Sequence, residues 1–135
     1  MKNMSFALTT KQFIDGSKDV TRRIGWAFLK PGDHFMAVEK CQGLKKGEHV
    51  KKLGECEVVS NDAVFLDSIT YSLYHVIPEC FGKDPKDWPR RCQVKETERE
   101  GFPDLTPEQF VEMFCREMHC TPETIVNRIE FVRVK

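Results

Sequence analysis

The sequence has no long hydrophobic run, and none of its stretches approaches the roughly 18 apolar residues that a membrane-spanning helix needs. The first residues, Met1 to Met4, lead into polar and mixed residues without the apolar core of a signal peptide. Net charge is also missing, because 21 basic residues balance 21 acidic ones, and this excludes a blanket nucleic-acid binder of the histone kind. These absences predict a soluble, cytoplasmic protein.

Closely paired Cys-x2-Cys motifs are absent as well, although the chain contains six cysteines. Without an export signal, free thiols are expected rather than disulfides. Two sets of residues offer zinc-binding side chains, namely Cys80 with Cys92, and Cys115 and Cys120 with His119. Neither set has the tight spacing of a structural zinc site, so we predict no metal and no cofactor.

The 135 residues are enough for one domain with its own core, and we predict a single domain over residues 1–135. Charge is divided unevenly along it. Residues 1–60 hold 11 basic and 7 acidic side chains, whereas residues 61–135 hold 10 and 14. A basic face built by the first half would attract an anionic partner, and salt would weaken that binding.

The pattern of apolar residues predicts an α+β fold. Strands are expected at residues 5–9, 19–23, 34–41, 55–59 continuing through 63–66, and 125–134. A short helix at residues 11–15 is expected to be capped by Thr10 and to end at Gly16. A second helix begins with a capping box at Thr106, and its buried face consists of Phe110, Val111, Phe114 and Met118. This order predicts a small mixed β-barrel with short helices packed at its ends.

Residues 16–33 carry the densest set of chemically useful side chains. Guanidinium groups fit phosphate oxygens and an indole face suits a nucleobase, which makes this segment a candidate binding site formed by Arg22, Arg23, Trp26 and Lys30. A lysine near a threonine can also serve as the base for a nucleophile, and Lys18 and Thr21 are so placed. Ordinary solvated surface charge is the alternative interpretation.

Four motifs in this order resemble the ASCH domain family, whose fold is a PUA-like β-barrel. They are Gly16-x-Lys18-x-x-Thr21-x-Arg23, the Leu29-Lys30-Pro31-Gly32-Asp33 turn, Glu100-Gly101-Phe102-Pro103 and Asn127-Arg128-Ile129-Glu130-Phe131. The resemblance extends from Phe6 to Val134 and is closest to small stand-alone bacterial and phage members.

The resemblance implies an RNA- or modified-nucleoside-binding protein. Some ASCH members are amidohydrolases that act on cytidine acylated at its exocyclic amine, and ribonuclease activity has been attributed to others. The family's catalytic lysine, threonine and glutamate match Lys18, Thr21 and Glu100. Lys18 can act as a base only if burial or the charge of Arg23 lowers its pKa. Its side chain can meet that of Thr21 only if the chain bends between residues 17 and 20.

Two classes of function therefore remain open. One is a hydrolase acting on a modified nucleoside or RNA, and the other is a non-catalytic module that binds nucleic acid. A lysine-rich segment favours binding to a partner larger than a nucleoside, although a solubilising loop is the commoner explanation of such a segment. Its lysines are Lys45, Lys46, Lys51 and Lys52. Residues 71–92 depart from the compact family pattern as a probable insertion, and we expect it to flank access to the cleft. The substrate and the oligomeric state stay open.

Overall fold

The computed structural model describes residues 1–40 and 44–135, and within these residues the fold is mixed α+β. Five strands form one sheet: β1 (Lys2–Ser5), β2 (Val20–Arg23), β3 (His34–Val38), β4 (Lys52–Phe65) and β5 (Ile125–Arg133). The α-helices are α1 (Thr10–Asp15), α2 (Glu96–Arg99) and α3 (Pro107–Met118). Short 3-10 turns occur at Leu66–Thr70, Pro78–Cys80, Pro85–Asp87 and Arg90–Gln93.

The sheet has the strand order β1-β3-β4-β5-β2 and curls into a half-barrel. β1 and β3 are parallel, and the remaining pairs are antiparallel. Register shifts interrupt the pairing near Val38 and Val58, and such bulges bend a strand and increase its twist. The two edges, β1 and β2, are linked by a side chain, because Arg23 Nη2 donates a hydrogen bond to the Ser5 carbonyl.

Two groups of buried apolar residues hold the fold together. The larger lies inside the curl of the sheet, where Phe6, Phe13 and Phe131 pack with ring centroids 5.3–6.2 Å apart. The smaller lies between α3 and the end of β4 and comprises Leu66, Ile69, Phe110, Val111, Phe114 and Val126. The α3 helix therefore covers one end of the half-barrel, beside the edge strand β2.

The closing strand, the end of the first helix at Gly16 and the capping box that starts the second are confirmed. β5 lies between β4 and β2, so the terminal segment pairs back into the sheet. Gly16 ends α1 in the left-handed region at φ 84°, where a glycine carries no steric cost. At the start of α3, the Thr106 side chain accepts from the Gln109 N–H, and the Gln109 side chain accepts in return from the Thr106 N–H.

The first strand and its neighbouring cap differ from the prediction. β1 comprises residues 2–5 rather than 5–9, because a turn after Phe6 directs that ring into the core, with the Thr9 N–H donating to the Phe6 carbonyl. Thr10 does not cap α1. Its hydroxyl instead donates to the Phe6 carbonyl at 2.8 Å, and it is the first residue of the helix.

The strands in the middle of the chain are also redistributed. The two predicted strands at 55–59 and 63–66 are one 14-residue strand, which begins earlier, at Lys52, within the lysine-rich segment. Leu66 starts a 3-10 turn instead of ending the strand. The predicted strand at 34–41 ends at Val38, and its last predicted residue, Cys41, lies outside the described residues.

Candidate functional site

A cleft of about 290 Å³ opens between the β2 edge of the sheet and α3, and we call it the Lys18 cleft. It contains all three residues that the family resemblance predicts to be catalytic, together with most of the predicted binding residues. Its lining consists of Ser5, Phe6, Ala7, Leu8, Lys18, Thr21, Arg22, Arg23, Ile24, Trp26, Glu100, Phe102, Phe110, Met113, Phe114, Glu117 and Met118.

Lys18 lies just before β2 and is 5% exposed. Its Nζ donates to the Val20 carbonyl at 2.8 Å and to the Glu100 carbonyl, and it lies 3.9 Å from Glu100 Oε1. The ammonium also lies 5.4 Å from the centroid of the Phe6 ring. Residues 17–19 are not in strand conformation, so the alternation of a regular strand does not apply to them. Lys18 and Thr21 can therefore line the same cleft although they are three residues apart.

The environment of Lys18 makes the amine easier to deprotonate than an ordinary lysine. Burial lowers the pKa of Lys18 from 10.5 to about 8, the negative charge of Glu100 opposes that change, and the charges of Arg23 and Arg22 reinforce it. This is the condition that the sequence sets for Lys18 to act as a base. With a pKa of about 8, roughly a tenth of the molecules hold the neutral amine at pH 7.

Thr21 is buried in β2, opposite Ile129 of β5. Its Oγ1 accepts a hydrogen bond from Arg23 Nε at 2.9 Å, and the same guanidinium lies 5.0 Å from the centroid of Phe6. Within residues 1–40 and 44–135, no hydrogen bond joins Lys18 Nζ to Thr21 Oγ1. The cleft therefore holds a buried hydroxyl that accepts from a guanidinium group, and Lys18 lines the same cleft.

Glu100 reaches the cleft from the end of α2, where it is the C-terminal cap residue. Gly101 follows it at φ 95°, and a β-carbon at that position would lie 2.8 Å from Thr9 Cγ2 and 3.3 Å from Lys18 Cδ. Glycine is therefore needed there both for the backbone angle and for the close packing. This explains physically why a glycine follows the glutamate in the Glu-Gly-Phe-Pro motif.

Arg22 holds the Glu100 carboxylate from the side opposite Lys18. Its Nη1 lies 2.7 Å from Glu100 Oε2 and 2.9 Å from Glu96 Oε2. Burial alone would lower the pKa of Arg22, but the two carboxylates raise it above its ordinary value. Arg22 is predicted from the sequence to bind phosphate. In the structure, its Nη1 instead contacts two buried carboxylates of the protein.

The ion pairs extend from Glu96 into a buried network that the sequence did not reveal. Arg128 Nε lies 2.6 Å from Glu96 Oε2, and Arg99 bridges Asp19 at 2.8 Å and Glu130 at 3.0 Å. Burial would raise the pKa of Glu96, but the hydrogen bond from Arg128 and the charges of Arg22 and Arg128 lower it to about 2. In the sequence, the only local sign of this network is the i,i+3 spacing of Glu96 and Arg99, which lets the two side chains pair on one helix face.

The second wall of the cleft is apolar and comes from α3. The stripe of Phe110, Met113, Phe114 and Met118 follows helical spacing. The prediction that Met118 is buried is wrong: it is 47% exposed and lies at the cleft. Met118 is the last residue of α3, and this end of the helix borders the cleft instead of the core.

The predicted binding residues divide into two groups. Trp26 lines the cleft and packs against Phe28 with ring centroids 5.4 Å apart. Lys30 does not line it, contrary to the sequence prediction. The Pro31-Gly32 turn carries Lys30 to the exposed surface, where its backbone N–H donates to the Asp33 carboxylate at 2.9 Å.

The insertion at residues 71–92 is also placed differently from the prediction. None of its residues lines the Lys18 cleft. The insertion instead packs beyond Arg22 and Glu96, where the Glu96 N–H donates to the Leu73 carbonyl at 2.8 Å, and it lines two other cavities. The cleft is lined instead by residues of β2, of α3 and of the turn after β1.

Neither a metal centre nor a membrane segment emerges from the described part of the chain. Across residues 1–40 and 44–135, no group of three His, Cys, Asp or Glu side chains could hold a metal ion. Burial raises the pKa of the Cys92 thiol, and the neighbouring Cys80 thiol raises it further. Every helix in those residues is too short or too polar to span a bilayer.

Comparisons with family models, curated proteins and solved structures found no match to this chain.

Proposed function

We propose that this chain is a PUA-like domain of the ASCH type, and that the Lys18 cleft binds a modified nucleoside and hydrolyses an exocyclic amide on it. The observation that carries the proposal is the meeting of Lys18 and Thr21 with Glu100, which lies 82 residues after Lys18, in one cleft of about 290 Å³. A cleft of this size suits a small molecule better than a folded nucleic acid.

The chemical step follows from the side chains present. The neutral Lys18 amine takes the Thr21 proton as Thr21 Oγ1 bonds to the acyl carbon. The carbon–nitrogen bond then breaks, and Lys18 returns the proton to the exocyclic nitrogen of the base. Water next attacks the acyl-threonine ester, which releases the carboxylic acid and restores the Thr21 hydroxyl. The direct attack of water on the amide, activated at the same site, is the alternative route.

The neighbouring groups support this assignment of roles. Arg23 donates to Thr21 Oγ1 at 2.9 Å and would stabilise negative charge that develops there. Glu100 accepts from Arg22 and lies beside Lys18, so it orients the amine without removing its basicity. Hydrogen bonds between catalytic groups often form fully only with substrate bound, which is consistent with the separate Lys18 and Thr21 partners in the free protein.

A non-catalytic binding module is the second candidate. It is favoured by the three oxygens around Lys18 Nζ, two of them backbone carbonyls, an arrangement typical of a structural lysine. In that case the cleft would bind a base or nucleotide through Trp26 and Arg23 without turnover.

Incubation with a panel of acylated cytidines and short RNAs, followed by mass spectrometry, separates these candidates. We expect cytidine and free acid from an acylated cytidine, with no product from Lys18→Met or Glu100→Gln. Lys30→Ala is the control, because Lys30 lies outside the cleft. Saturable binding of nucleosides without any product would establish the binding module, and RNA cleavage would establish the ribonuclease.

A further inference from the structure

Two cysteines lie at the C-terminal end of α3, one inside the helix and one just after it. The helix ends at Met118, and His119 follows in the left-handed region at φ 53° and ψ 49°. The backbone N–H groups of His119 and Cys120 both donate to the carbonyl of Cys115, the second at 3.2 Å. This is the closure typical of a helix that ends in a left-handed residue.

That closure brings the two cysteines together. The 3.2 Å hydrogen bond keeps the α-carbons of Cys115 and Cys120 within about 7 Å of each other at most, and disulfides join α-carbons about 4.4–6.8 Å apart. The side chains at these two positions of such a helix end commonly contact each other. Here both pack against the same apolar cluster under α3.

The environment of the Cys115 thiol agrees with this placement. Burial raises the pKa of Cys115, and the neighbouring Cys120 thiol raises it further, followed by the charge of Glu123. Both cysteines are free thiols, and both are only partly buried. A small reagent in water can therefore reach them, although the raised pKa makes the reaction of Cys115 slower than that of an ordinary thiol.

A second pair of neighbouring thiols offers a comparison within the same protein. Cys80 and Cys92 are 2% and 0% exposed, so a reagent in solution cannot reach either sulfur while the chain is folded. Exposure therefore distinguishes the pair at the end of α3 from the buried pair.

The segment between Cys115 and Cys120 borders the Lys18 cleft. Glu117 and Met118 belong to it, and both line that cleft. A left-handed conformation is unfavourable for a residue that has a side chain, so this turn depends on the hydrogen bonds at His119 and Cys120. A covalent bond between the two cysteines would add a restraint that the hydrogen bonds alone do not provide.

We propose that Cys115 and Cys120 are a redox modification site, at which a small disulfide compound reversibly oxidises the two thiols to a disulfide that ties the last turn of α3. The proposal does not depend on the hydrolase proposal, because it rests on the end of the helix and not on Lys18, Thr21 or Glu100. Its test needs no enzymatic activity.

The reaction is a double thiol–disulfide exchange. One cysteine thiolate attacks a sulfur of oxidised glutathione, whose S–S bond breaks, and the glutathione thiolate that leaves takes up the proton lost by the cysteine. The second cysteine, also as its thiolate, attacks the protein sulfur of the mixed disulfide and releases the second glutathione in the same way. The protein loses two electrons and two protons, and the oxidant becomes two molecules of reduced glutathione.

The test treats the folded, full chain with oxidised glutathione, blocks the remaining thiols and digests with trypsin before mass spectrometry. Cleavage after Arg116 places Cys115 and Cys120 on separate peptides, residues 100–116 and 117–128, so the disulfide is detected as a linked pair of peptides. We expect this linked pair, its loss after treatment with dithiothreitol, and little linkage of Cys80 to Cys92 in the same samples.

Two variants and one further measurement test the geometry. Cys115→Ser and Cys120→Ser should each stop at a mixed disulfide with one glutathione, whereas Cys80→Ser should still form the linked pair. In the oxidised wild type, hydrogen exchange at the Cys120 amide should slow by about tenfold or more, because the amide exchanges only when the turn opens. Mixed disulfides without the linked pair in wild type, linkage only after unfolding, or unchanged exchange at Cys120 would overturn the proposal.

Discussion

Arg22 Nη1 lies 2.7 Å from Glu100 Oε2, and both side chains are almost completely buried. This contact connects the edge strand β2 with the end of α2, which are 78 residues apart along the chain. It also places the Arg22 guanidinium beside the carboxylate that neighbours Lys18. The arrangement around Lys18 is therefore a packed electrostatic cluster, and its response to pH and substitution gives direct tests.

Lys18 should make stability depend on pH in the alkaline range. The pKa of Lys18 is about 8 in the folded protein and 10.5 in the reference state, so the unfolded chain binds more protons between these values. Stability contributed by Lys18 therefore rises as pH increases through this range, by about 3 kcal/mol at most. Urea unfolding from pH 7 to 11 should show that wild type gains stability relative to Lys18→Met. A constant difference between the two proteins would contradict the burial of the ammonium.

Glu96, an acid where Lys18 is a base, should make stability depend on pH in the acid range. Its pKa is about 2 in the folded protein against 4.5, so its contribution is complete above about 4.5 and is lost as pH falls toward 2. This pKa shift contributes up to about 3 kcal/mol to the free energy of unfolding. Glu96→Gln should be less stable than wild type at neutral pH and should lose less stability on acidification. The control is Glu98→Gln, at an exposed position on the same helix, which should follow wild type. Parallel acid unfolding of all three proteins would refute the pairing of Glu96.

The glycine after Glu100 provides a test of close packing. Gly101→Ala adds a β-carbon within 2.8 Å of Thr9 Cγ2 at a backbone φ of 95°, and we expect a loss of at least about 2 kcal/mol in the free energy of unfolding. Gly82→Ala is the matched control: its φ is 76° with open space around the new atom, so only the backbone strain of about 1 kcal/mol applies. Equal losses in chemical denaturation would mean that the contact with Thr9 and Lys18 is unimportant.

The local features of this fold could be read from the sequence, and the long-range ones could not. Gly16 and the Thr106 capping box depend on neighbouring residues only, and both helix ends were predicted correctly. The pairing of Glu96 with Arg128 joins residues 32 positions apart and left no periodic pattern to detect.

The residues of the candidate site could be predicted only from the order of the four motifs that carry the family resemblance. Composition and spacing do not bring Glu100 to Lys18, 82 residues away, whereas the family resemblance named both. It did not reveal the apolar wall from α3, because Met113 and Met118 have the same spacing as core residues. The insertion packs beside Glu96, where the Glu96 N–H donates to the Leu73 carbonyl. This contact is a tertiary one between backbone groups, so no side-chain pattern in the sequence could predict it.

Arg23 should contribute to the binding of a phosphate-containing ligand at the cleft. Arg23→Ala should weaken binding of a nucleotide or short RNA and reduce the salt dependence by about one phosphate contact. Fluorescence titrations at several salt concentrations measure both quantities. Because Arg23 also bonds to Ser5 and Thr21, each titration should be preceded by a melting curve that shows a folded variant. Lys30→Ala should retain both affinity and slope, and an unchanged slope in Arg23→Ala would argue against a phosphate contact.

The pH dependence of N4-acetylcytidine deacetylation tests the central claim most directly. If neutral Lys18 is the base in the cleft, kcat/KM should rise with pH and level off above an apparent pKa of about 8, the value set by its burial. Lys18→Met and Thr21→Ala should show no measurable deacetylation at any pH, while both remain folded. Absence of turnover by wild type at every pH, or the same pH profile in Lys18→Met, would contradict the account.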